Sequence, residues 1–312
     1  MNEDQYTISS GHLDVGDGHK IYYQSWGNPK GIPIFVFHGG PGSQSRDKHK
    51  LAFDPKRHLV VFHDQRGCGQ STADDYLNKN TIDDLVGDIE KLRKKFKFEK
   101  INVFGHSWGS TLALYYAIKH PKPVKKLIIG GVFLGTKAET DHLYQGGLAR
   151  LFPEAWDRFV GIVPEKYRND TLKYYENVFK NGNQDEKIGH LRRWSQLEPA
   201  PMSIDADYKA VRQTADAIDN LDDLQSVMIG IHYFRNDCFI PEEYIMKNAS
   251  KLKSTPTVIV QGRFDTVTLP QIAYELANKM GDNCHLHIVP NSHKAEGALR
   301  EVQRAYAWSF FN

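Results

Sequence analysis

A serine flanked by glycines offers the clearest chemistry in this sequence. Residues 105–109 read Gly-His-Ser-Trp-Gly, which matches the pattern G-x-S-x-G with Ser107 at its centre. In that pattern the serine lies on a tight strand-to-helix turn, where its hydroxyl is exposed and can attack a carbonyl carbon. Glycines are needed because side chains at their positions would collide in so tight a turn. By itself the pattern is also compatible with a glycine-rich turn that carries an idle serine.

A histidine and an aspartate that could complete a catalytic triad follow later in the chain. Of the 14 histidines, His293 lies in a polar loop just after the last apolar run, and Asp265 holds the corresponding position after the preceding run. The carboxyl ends of parallel strands meet at one edge of a sheet, so both side chains are expected near Ser107. The order serine, aspartate, histidine is that of α/β-hydrolases. We predict that Ser107 is the nucleophile, His293 its base and Asp265 the group that orients the base.

A second glycine-rich segment offers groups that would stabilise a tetrahedral intermediate. Residues 38–42 read His-Gly-Gly-Pro-Gly and directly follow an apolar run. Glycines allow a backbone N–H to come close to an oxyanion. We predict an oxyanion hole formed by the N–H groups of Gly40 and of Trp108, which follows the nucleophile. A glycine turn that merely ends a strand is the alternative.

The elements that would position these groups are visible as apolar runs. Runs typical of strands begin at Ile34, Leu59, Ile101, Lys126, Thr257 and His285. Near-continuous apolar runs of this length indicate strands buried on both faces of a parallel sheet. Ser107 comes after one such run and before a helical pattern, which is the setting that G-x-S-x-G requires. Thr81 and Asp84 have capping-box spacing at the start of another helix.

The alternation of strands and helices stops in the middle of the chain. Residues 136–250 are rich in aromatic side chains and show helical patterns, for example at 170–179 and 216–230, but no clear series of strands. We therefore predict an α/β protein of the α/β-hydrolase fold, with a mostly parallel, doubly wound sheet. Residues 1–135 and 251–312 would form the catalytic core, and residues 136–250 a helical cap that binds substrate.

Composition and charge narrow the possible partners. The 312 residues are 40% hydrophobic and 25% charged, which is typical of a globular protein. The net charge is only +2 and basic runs are missing, so nucleic acid and anionic membranes are not expected as partners. The first residues lack a signal-peptide pattern, and no apolar stretch approaches the roughly 20 residues of a membrane span. Three cysteines without metal-type spacing indicate reduced thiols, and the sequence predicts a cytoplasmic protein.

Several segments together resemble the proline iminopeptidase (prolyl aminopeptidase) family over nearly the whole chain. Besides 38–42 and 105–114, they are Asp-Gln-Arg-Gly-Cys-Gly-Gln-Ser at 64–71, Arg-Leu-Phe-Pro at 150–153, His-Tyr-Phe at 232–234 and Gly-Arg-Phe-Asp at 262–265. The resemblance implies an enzyme that needs no metal or other cofactor. It also implies that the enzyme removes an N-terminal residue, preferably proline, from a peptide.

The resemblance further implies a pocket for the substrate's N-terminus. Glu198 is similar to a glutamate that binds the free amine in this family, and a buried carboxylate is a suitable partner for a protonated amine. In the family, aromatic side chains enclose the pyrrolidine ring. The candidates for this apolar wall are Phe133, Tyr144, Trp194, Phe234 and Phe239. For each of them, packing in the core is the alternative role.

The chain departs from the family pattern near this pocket. Gly230 stands near a usual second acidic residue, Leu197 replaces an aromatic side chain, and His142 replaces a common tryptophan. His106 stands where glycine is frequent, and the loop before His293 is one residue short. We therefore expect a free N-terminus to be preferred, with weaker selectivity for proline. Candidates for a compensating carboxylate are Glu139, Asp141 and Asp237.

The function predicted from the sequence is thus a serine aminopeptidase that forms an acyl-enzyme. Its substrate would be a peptide or small amide with a free N-terminus. Two alternatives remain open: an amidase or esterase of the same fold that acts on another small acyl group, and a catalytically silent binding protein. The presence of a nucleophile, base, acid and oxyanion loop favours an enzyme.

Overall fold

A nine-stranded sheet forms the centre of the protein in the computed structural model, which describes residues 3–311. Within those residues the strands are β1 (Thr7–Gly16), β2 (His19–Gly27), β3 (Ile32–Phe37), β4 (His58–His63), β5 (Thr72–Ala73), β6 (Ile101–His106), β7 (Val124–Gly130), β8 (Thr257–Gly262) and β9 (Cys284–Val289). Their order is β1-β2-β4-β3-β6-β7-β8-β9, and β5 pairs with β2. The pairs from β4 to β9 are parallel, and those of β1 and β2 are antiparallel. The mostly parallel sheet expected from the apolar runs is confirmed.

Helices connect the strands and fill the long gap between β7 and β8. The helices are α1 (Ile82–Lys95), α2 (Trp108–Lys119), α3 (Lys137–Tyr144), α4 (Pro153–Val160), α5 (Thr171–Asn181), α6 (Gln184–Leu197), α7 (Tyr208–Asp216), α8 (Leu224–Arg235), α9 (Tyr244–Asn248), α10 (Pro270–Met280) and α11 (Gly297–Phe310). Seven of these, α3 to α9, lie between β7 and β8, where residues 131–256 contain no strand. Within the described chain, no helix has both the length and the apolar character of a membrane span.

Both faces of the sheet are buried, as its apolar strands require. In β3, Phe35 and Phe37 pack on the face that also holds α1 and α2, while Ile34 and Val36 pack on the face that holds α11. All six residues of β4 and of β8 are buried. Because side chains alternate along a strand, only a nearly continuous apolar run can satisfy helices on both faces.

Local signals in the sequence mark the start of α1 but misplace a helix later in the chain. The capping box is present at α1, where Thr81 Oγ1 accepts the Asp84 N–H (3.3 Å) and Asp84 Oδ2 accepts the Thr81 N–H (3.0 Å). The helix expected over residues 216–230 is wrong in its first half, because α7 ends at Asp216 and α8 begins only at Leu224. Between them the side chain of Asn220 accepts the Asp222 N–H (3.1 Å), a local bond that competes with helix formation.

Candidate active site

Ser107 lies on the sharp turn between β6 and α2. Its backbone has φ 59° and ψ −131°, a conformation that non-glycine residues rarely adopt and that marks functional sites. A Cβ atom on Gly105 would lie 2.2 Å from the Gly109 carbonyl oxygen, and one on Gly109 would lie 2.1 Å from the Phe37 carbonyl oxygen. Only glycine fits both positions. The turn thereby presents the serine at the N-terminus of α2, whose dipole favours developing negative charge.

The structure brings Ser107, His293 and Asp265 into one hydrogen-bonded series. The Ser107 hydroxyl lies 3.0 Å from His293 Nε2, and His293 Nδ1 lies 2.9 Å from Asp265 Oδ2. Asp265 follows β8 and His293 follows β9, so both come from the edge of the sheet where β6 leads into Ser107. This geometry allows the imidazole to take the serine proton while the carboxylate orients the ring.

The carboxylate of Asp265 is held by several donors. Its Oδ1 accepts the N–H groups of Val267 (3.0 Å) and Thr268 (2.8 Å), and its Oδ2 accepts the Thr268 hydroxyl (2.8 Å) and Gln261 Nε2 (3.0 Å). Burial acts to raise the pKa of Asp265, but His293 and the Thr268 donors outweigh it, so the pKa is lowered. The ionised carboxylate accepts the Nδ1 proton of His293 and leaves Nε2 free to act as base. Sequence reasoning missed Gln261 and Thr268, although a polar residue in an apolar strand is a usable signal.

The glycine-rich segment after β3 lies beside the nucleophile. A Cβ atom on Gly39 would be 3.4 Å from the Cβ of Ser107, and Gly40 has φ 121°, which favours glycine. Trp108 is the first residue of α2, so its N–H has no partner within the helix. Gly40 and Trp108 are therefore placed where their N–H groups could receive an oxyanion on the carbonyl attacked by Ser107.

A buried glutamine, Gln65, joins this segment to the turn at Ser107. No pattern in the sequence indicated this contact. The Gln65 N–H donates to His38 Nε2 (3.0 Å), and Gln65 Nε2 donates to the His38 carbonyl (3.0 Å). Its Oε1 accepts the indole N–H of Trp108 (2.8 Å). Gln65 thus links His38, two residues before Gly40, to the side chain of Trp108. Gln65 belongs to the segment 64–71, which the sequence analysis singled out. Its hydrogen-bond partners could not be read from the sequence.

His106, where glycine is frequent in related chains, contacts the histidine loop. Its Nε2–H donates to the backbone carbonyl of His293 (2.8 Å), and its Nδ1 lies 3.3 Å from Gln303 Nε2. Burial, together with repulsion from His293, lowers the pKa of His106 to about 4. The ring is therefore neutral near pH 7, with Nε2 as donor and Nδ1 as acceptor.

A cavity of about 310 Å³ opens beside Ser107 and contains Glu198. Of the aromatic candidates, Phe133, Tyr144 and Phe234 line this cavity. Trp194 and Phe239 do not: Trp194 stacks behind Tyr144, with ring centroids 5.0 Å apart, and Phe239 packs on His232 and Tyr233. The cavity thus has a polar group at one position and an aromatic wall around it, which suits a ring with a charged nitrogen.

Glu198 is the only acidic residue among the cavity-lining residues of the described chain. The Tyr144 hydroxyl donates to Glu198 Oε1 (2.8 Å). Burial raises the pKa of Glu198, and interactions with the side chains of Tyr144 and Trp194 offset this only in part. A cation that enters the cavity would relieve this cost by pairing with the carboxylate.

The structure shows where the residues that depart from the family pattern lie. Gly230 and Leu197 line the cavity, whereas His142 Nε2 donates to the carbonyl of Thr266 (2.8 Å), next to Asp265. None of the three candidates for a second carboxylate borders the cavity. Glu139 caps α3, Asp141 pairs with Lys137, and Asp237 is exposed.

Comparison with known proteins finds relatives that match most of this chain. Residues 32–295 match the family described as alpha/beta hydrolase fold. The chain is 37% identical over 285 residues to the proline iminopeptidase of Xylella fastidiosa strain 9a5c, covering 90% of this chain and 89% of that one. It is 36% identical over 302 residues to that of Neisseria gonorrhoeae, covering 95% and 93%.

Solved structures resemble the fold at lower sequence identity. The proline iminopeptidase of Mycobacterium smegmatis superposes with a TM-score of 0.60 at 20% identity, covering 97% of each chain. The α/β hydrolase MGS-M2, from a deep-sea metagenome library, superposes with a TM-score of 0.63 at 18% identity, covering 96% of this chain and 97% of that one. Together with the sequence matches, these findings show that the chain belongs to the proline iminopeptidase family and has the α/β-hydrolase fold.

Proposed function

We propose that this protein is a serine aminopeptidase that releases an N-terminal residue, preferentially proline, from peptides through an acyl-enzyme. One observation carries the proposal: Ser107, hydrogen-bonded to His293, borders a cavity whose only acidic lining residue in the described chain is Glu198. The relatives at 36–37% identity are proline iminopeptidases, which supports the same activity.

The proposed reaction follows from the positions of these groups. Ser107 Oγ attacks the substrate carbonyl as its proton passes to His293 Nε2, and Asp265 stabilises the resulting imidazolium. The N–H groups of Gly40 and Trp108 receive the developing oxyanion, and one such donor is typically worth ~3–4 kcal/mol. His293 then protonates the leaving amine, the C–N bond breaks, and water hydrolyses the ester by the reverse proton path.

Glu198 would select substrates with a free N-terminus. It lies in the same cavity as Ser107, and its carboxylate accepts the Tyr144 hydroxyl at Oε1, which leaves acceptor capacity for an ammonium group. Phe133 and Phe234 would contact the pyrrolidine ring. Because Gly230 supplies no second carboxylate, we expect weaker selectivity for proline and tolerance of small residues such as alanine.

The division of the chain supports this assignment. We propose that residues 1–135 and 251–312 form the catalytic core and that residues 136–250 act as a cap, since they contribute Glu198, Tyr144 and Phe234 to the cavity. We propose a cytoplasmic location for the enzyme, because its three cysteines are free thiols, which a reducing compartment maintains.

An amidase or esterase that acts on another small acyl group is the second candidate. Gly230 favours it, because a site with a single carboxylate reads the amine less strictly than a site with two. The two candidates share Ser107 and differ only in whether the free amine is needed. A serine-directed phosphonate should label Ser107 in both cases, and failure to label it would indicate a catalytically silent protein.

The test of the proposal is Glu198→Gln, which removes the charge and can retain the Tyr144 hydrogen bond. We expect kcat/KM for proline 4-nitroanilide to fall by roughly 10- to 150-fold, which corresponds to the loss of a charge-assisted hydrogen bond of ~1.5–3 kcal/mol. Hydrolysis of the N-acetylated substrate should not change.

Two control variants accompany the comparison of Glu198→Gln with the wild-type enzyme. Glu165→Gln removes an exposed glutamate from the same segment and should leave both rates unchanged. Ser107→Ala should reduce turnover of every substrate by roughly 10⁴-fold or more. Equal losses on the free and the acylated substrate, or no loss on the free one, would show that Glu198 does not recognise the N-terminus.

A further inference from the structure

A second cavity meets the first one at Ser107. Its volume is about 260 Å³, and it is bordered by Ser107, His293, Gly39 and Gly40. Glu198, Tyr144 and the aromatic wall of the first cavity do not border it. An acyl-transfer enzyme must hold the acyl part of its substrate on one side of the nucleophile and the leaving group on the other. With Glu198 in the first cavity, the second cavity is the place for the leaving group.

The second cavity is surrounded by cationic side chains. Those that border it are Arg46, Lys48, Lys294 and Arg300, which we call the cationic rim. No aspartate or glutamate of the described chain borders this cavity. Among the described residues, the first cavity has Glu198 as its acid and Arg46 as its only lysine or arginine, so its formal charge is balanced. The two cavities therefore differ in charge, because four cations and no acid line the second.

Most of this positive charge is not neutralised within the described residues. Lys294 pairs with Glu296 (Nζ to Oε2, 3.2 Å), but Arg46, Lys48 and Arg300 form no ion pair with any of residues 5–311. Burial lowers the pKa of Lys48, and repulsion from the other three rim residues adds to this, while Glu296 opposes it. The rim residues are thus close enough to interact, and like charges held together favour an anion between them.

We propose that the cationic rim binds a carboxylate on the leaving group, so that the enzyme prefers substrates with a negative charge close to the scissile bond. The proposal rests on the proposed aminopeptidase function. The carboxylate comes from either of two sources: the free C-terminus of a dipeptide, or an acidic side chain on the second residue. Two guanidinium groups in the rim suit a carboxylate, since arginine can bind both of its oxygens.

Two matched substrate pairs test the inference on the full-length enzyme. The first pair is Pro-Gly and Pro-Gly amide, which differ in the terminal charge; the second is Pro-Asp amide and Pro-Asn amide, which differ in the side-chain charge. We expect kcat/KM to be about 10-fold higher for the charged member of at least one pair. The preference should shrink between 0.05 and 0.5 M salt, because screening weakens exposed charges. The pair with the larger ratio identifies the source of the carboxylate.

The double variant Lys48→Gln, Arg300→Gln should bring the charged-to-neutral ratio close to 1. Because the ratio is internal to each enzyme, a general loss of activity cancels. A matched control is Lys251→Gln, Lys253→Gln, which removes two exposed charges before the amino end of β8 and should keep the wild-type ratio. Phosphonate labelling of Ser107 checks that each variant is folded at the site.

The outcomes separate the inference from the function on which it rests. Turnover of prolyl substrates with equal kcat/KM for both members of both pairs would overturn the inference and leave the aminopeptidase function standing. An unchanged preference in the rim variant would also overturn it. A lack of turnover on every prolyl substrate would count against the proposed function and the inference together.

Discussion

Side chains that do not touch substrate determine how Ser107 can react. Asp265 is fixed by four hydrogen bonds from Gln261, Val267 and Thr268, and it in turn fixes the tautomer of His293. His106 holds the same loop from the other side through the backbone carbonyl of His293. A base held within hydrogen-bond distance needs little reorganisation when the proton moves, so these contacts contribute to the rate although they are not part of the reaction.

We predict that His106→Phe lowers kcat by about 10-fold with little change in KM. Phenylalanine keeps a ring of similar size but leaves the His293 carbonyl without its donor, a loss typically worth ~1–3 kcal/mol. KM should change little because His106 does not border the Glu198 cavity, and in the second cavity, which it does border, phenylalanine keeps a ring of similar size. The pH dependence of kcat/KM should also hold, because the pKa of His106 is lowered to about 4 and the ring is neutral where the enzyme works. Loss of stability with unchanged kcat would show a merely structural role, and His285→Phe, at an exposed site, is the control.

The strands contribute to the site through the residues that follow their ends, and α8 contributes through a residue in its middle. Ser107, Asp265 and His293 come from the turns after β6, β8 and β9, whereas α8 presents the middle of a helix, at Gly230, to the cavity. Glycine inside a helix costs roughly 0.5–1 kcal/mol relative to alanine. A Cβ atom on Gly230 would meet the Pro41 carbonyl oxygen at 3.5 Å and Phe234 at 3.8 Å, which are ordinary contacts. Space for substrate, and not backbone geometry, is therefore the property that glycine provides here.

We predict that Gly230→Ala stabilises the protein by ~0.5–1 kcal/mol but lowers kcat/KM for prolyl substrates several-fold, mainly by raising KM. The added methyl group occupies part of the cavity of about 310 Å³. Gly87→Ala in α1 is the matched control, since a Cβ atom there meets nothing within 4 Å. It should give the same stabilisation with unchanged kinetics. Chemical denaturation and steady-state kinetics of both variants test this, and an unchanged KM in Gly230→Ala would contradict it.

At the scale of the whole molecule, burial of neutral histidines links folding to pH. Burial lowers the pKa of His63 to about 3 and those of His49, His58 and His106 to about 4, against an ordinary value of 6.5. Above pH 6.5 these histidines are neutral in both the folded and the unfolded state, so they do not change the free energy of unfolding. Below it the unfolded chain binds protons that the folded protein does not, so acidification favours unfolding. Buried carboxyls such as Glu198, whose pKa burial raises, oppose this trend.

We predict that the free energy of unfolding falls as the pH is lowered from about 6.5 to about 4. Each of these histidines contributes up to ~1.4 kcal/mol per pH unit within that window. His63→Phe should make the decline shallower, because the pKa of His63 is lowered the most and its loss removes one proton-binding site of the unfolded chain. Denaturant titrations at pH 7, 6, 5 and 4.5 measure this. His285→Phe removes an exposed histidine and should keep the wild-type slope, and a parallel slope in His63→Phe would contradict the assignment.

The sequence alone determined the parts of this protein that depend on local patterns. Apolar runs indicated the parallel strands, because strands buried on both faces have few polar positions. The spacing of glycines indicated the tight strand-to-helix turn at Ser107, because such a turn excludes side chains at the glycine positions. Asp265 and His293 were found by their positions after strands, because parallel strands end at one edge. The structure places His293 within hydrogen-bond distance of both Ser107 and Asp265.

Tertiary structure decided which side chains meet across elements. The sequence could not separate Phe133, Tyr144 and Phe234, which line the cavity, from Trp194 and Phe239, which pack behind or away from it. Helical periodicity shows that a face is buried, but not what it is buried against. The hydrogen bonds of Gln65 and His106 join residues that are far apart in sequence. The cationic rim likewise combines residues from two distant segments. Such contacts depend on distances set by packing of the whole chain, which no local pattern encodes.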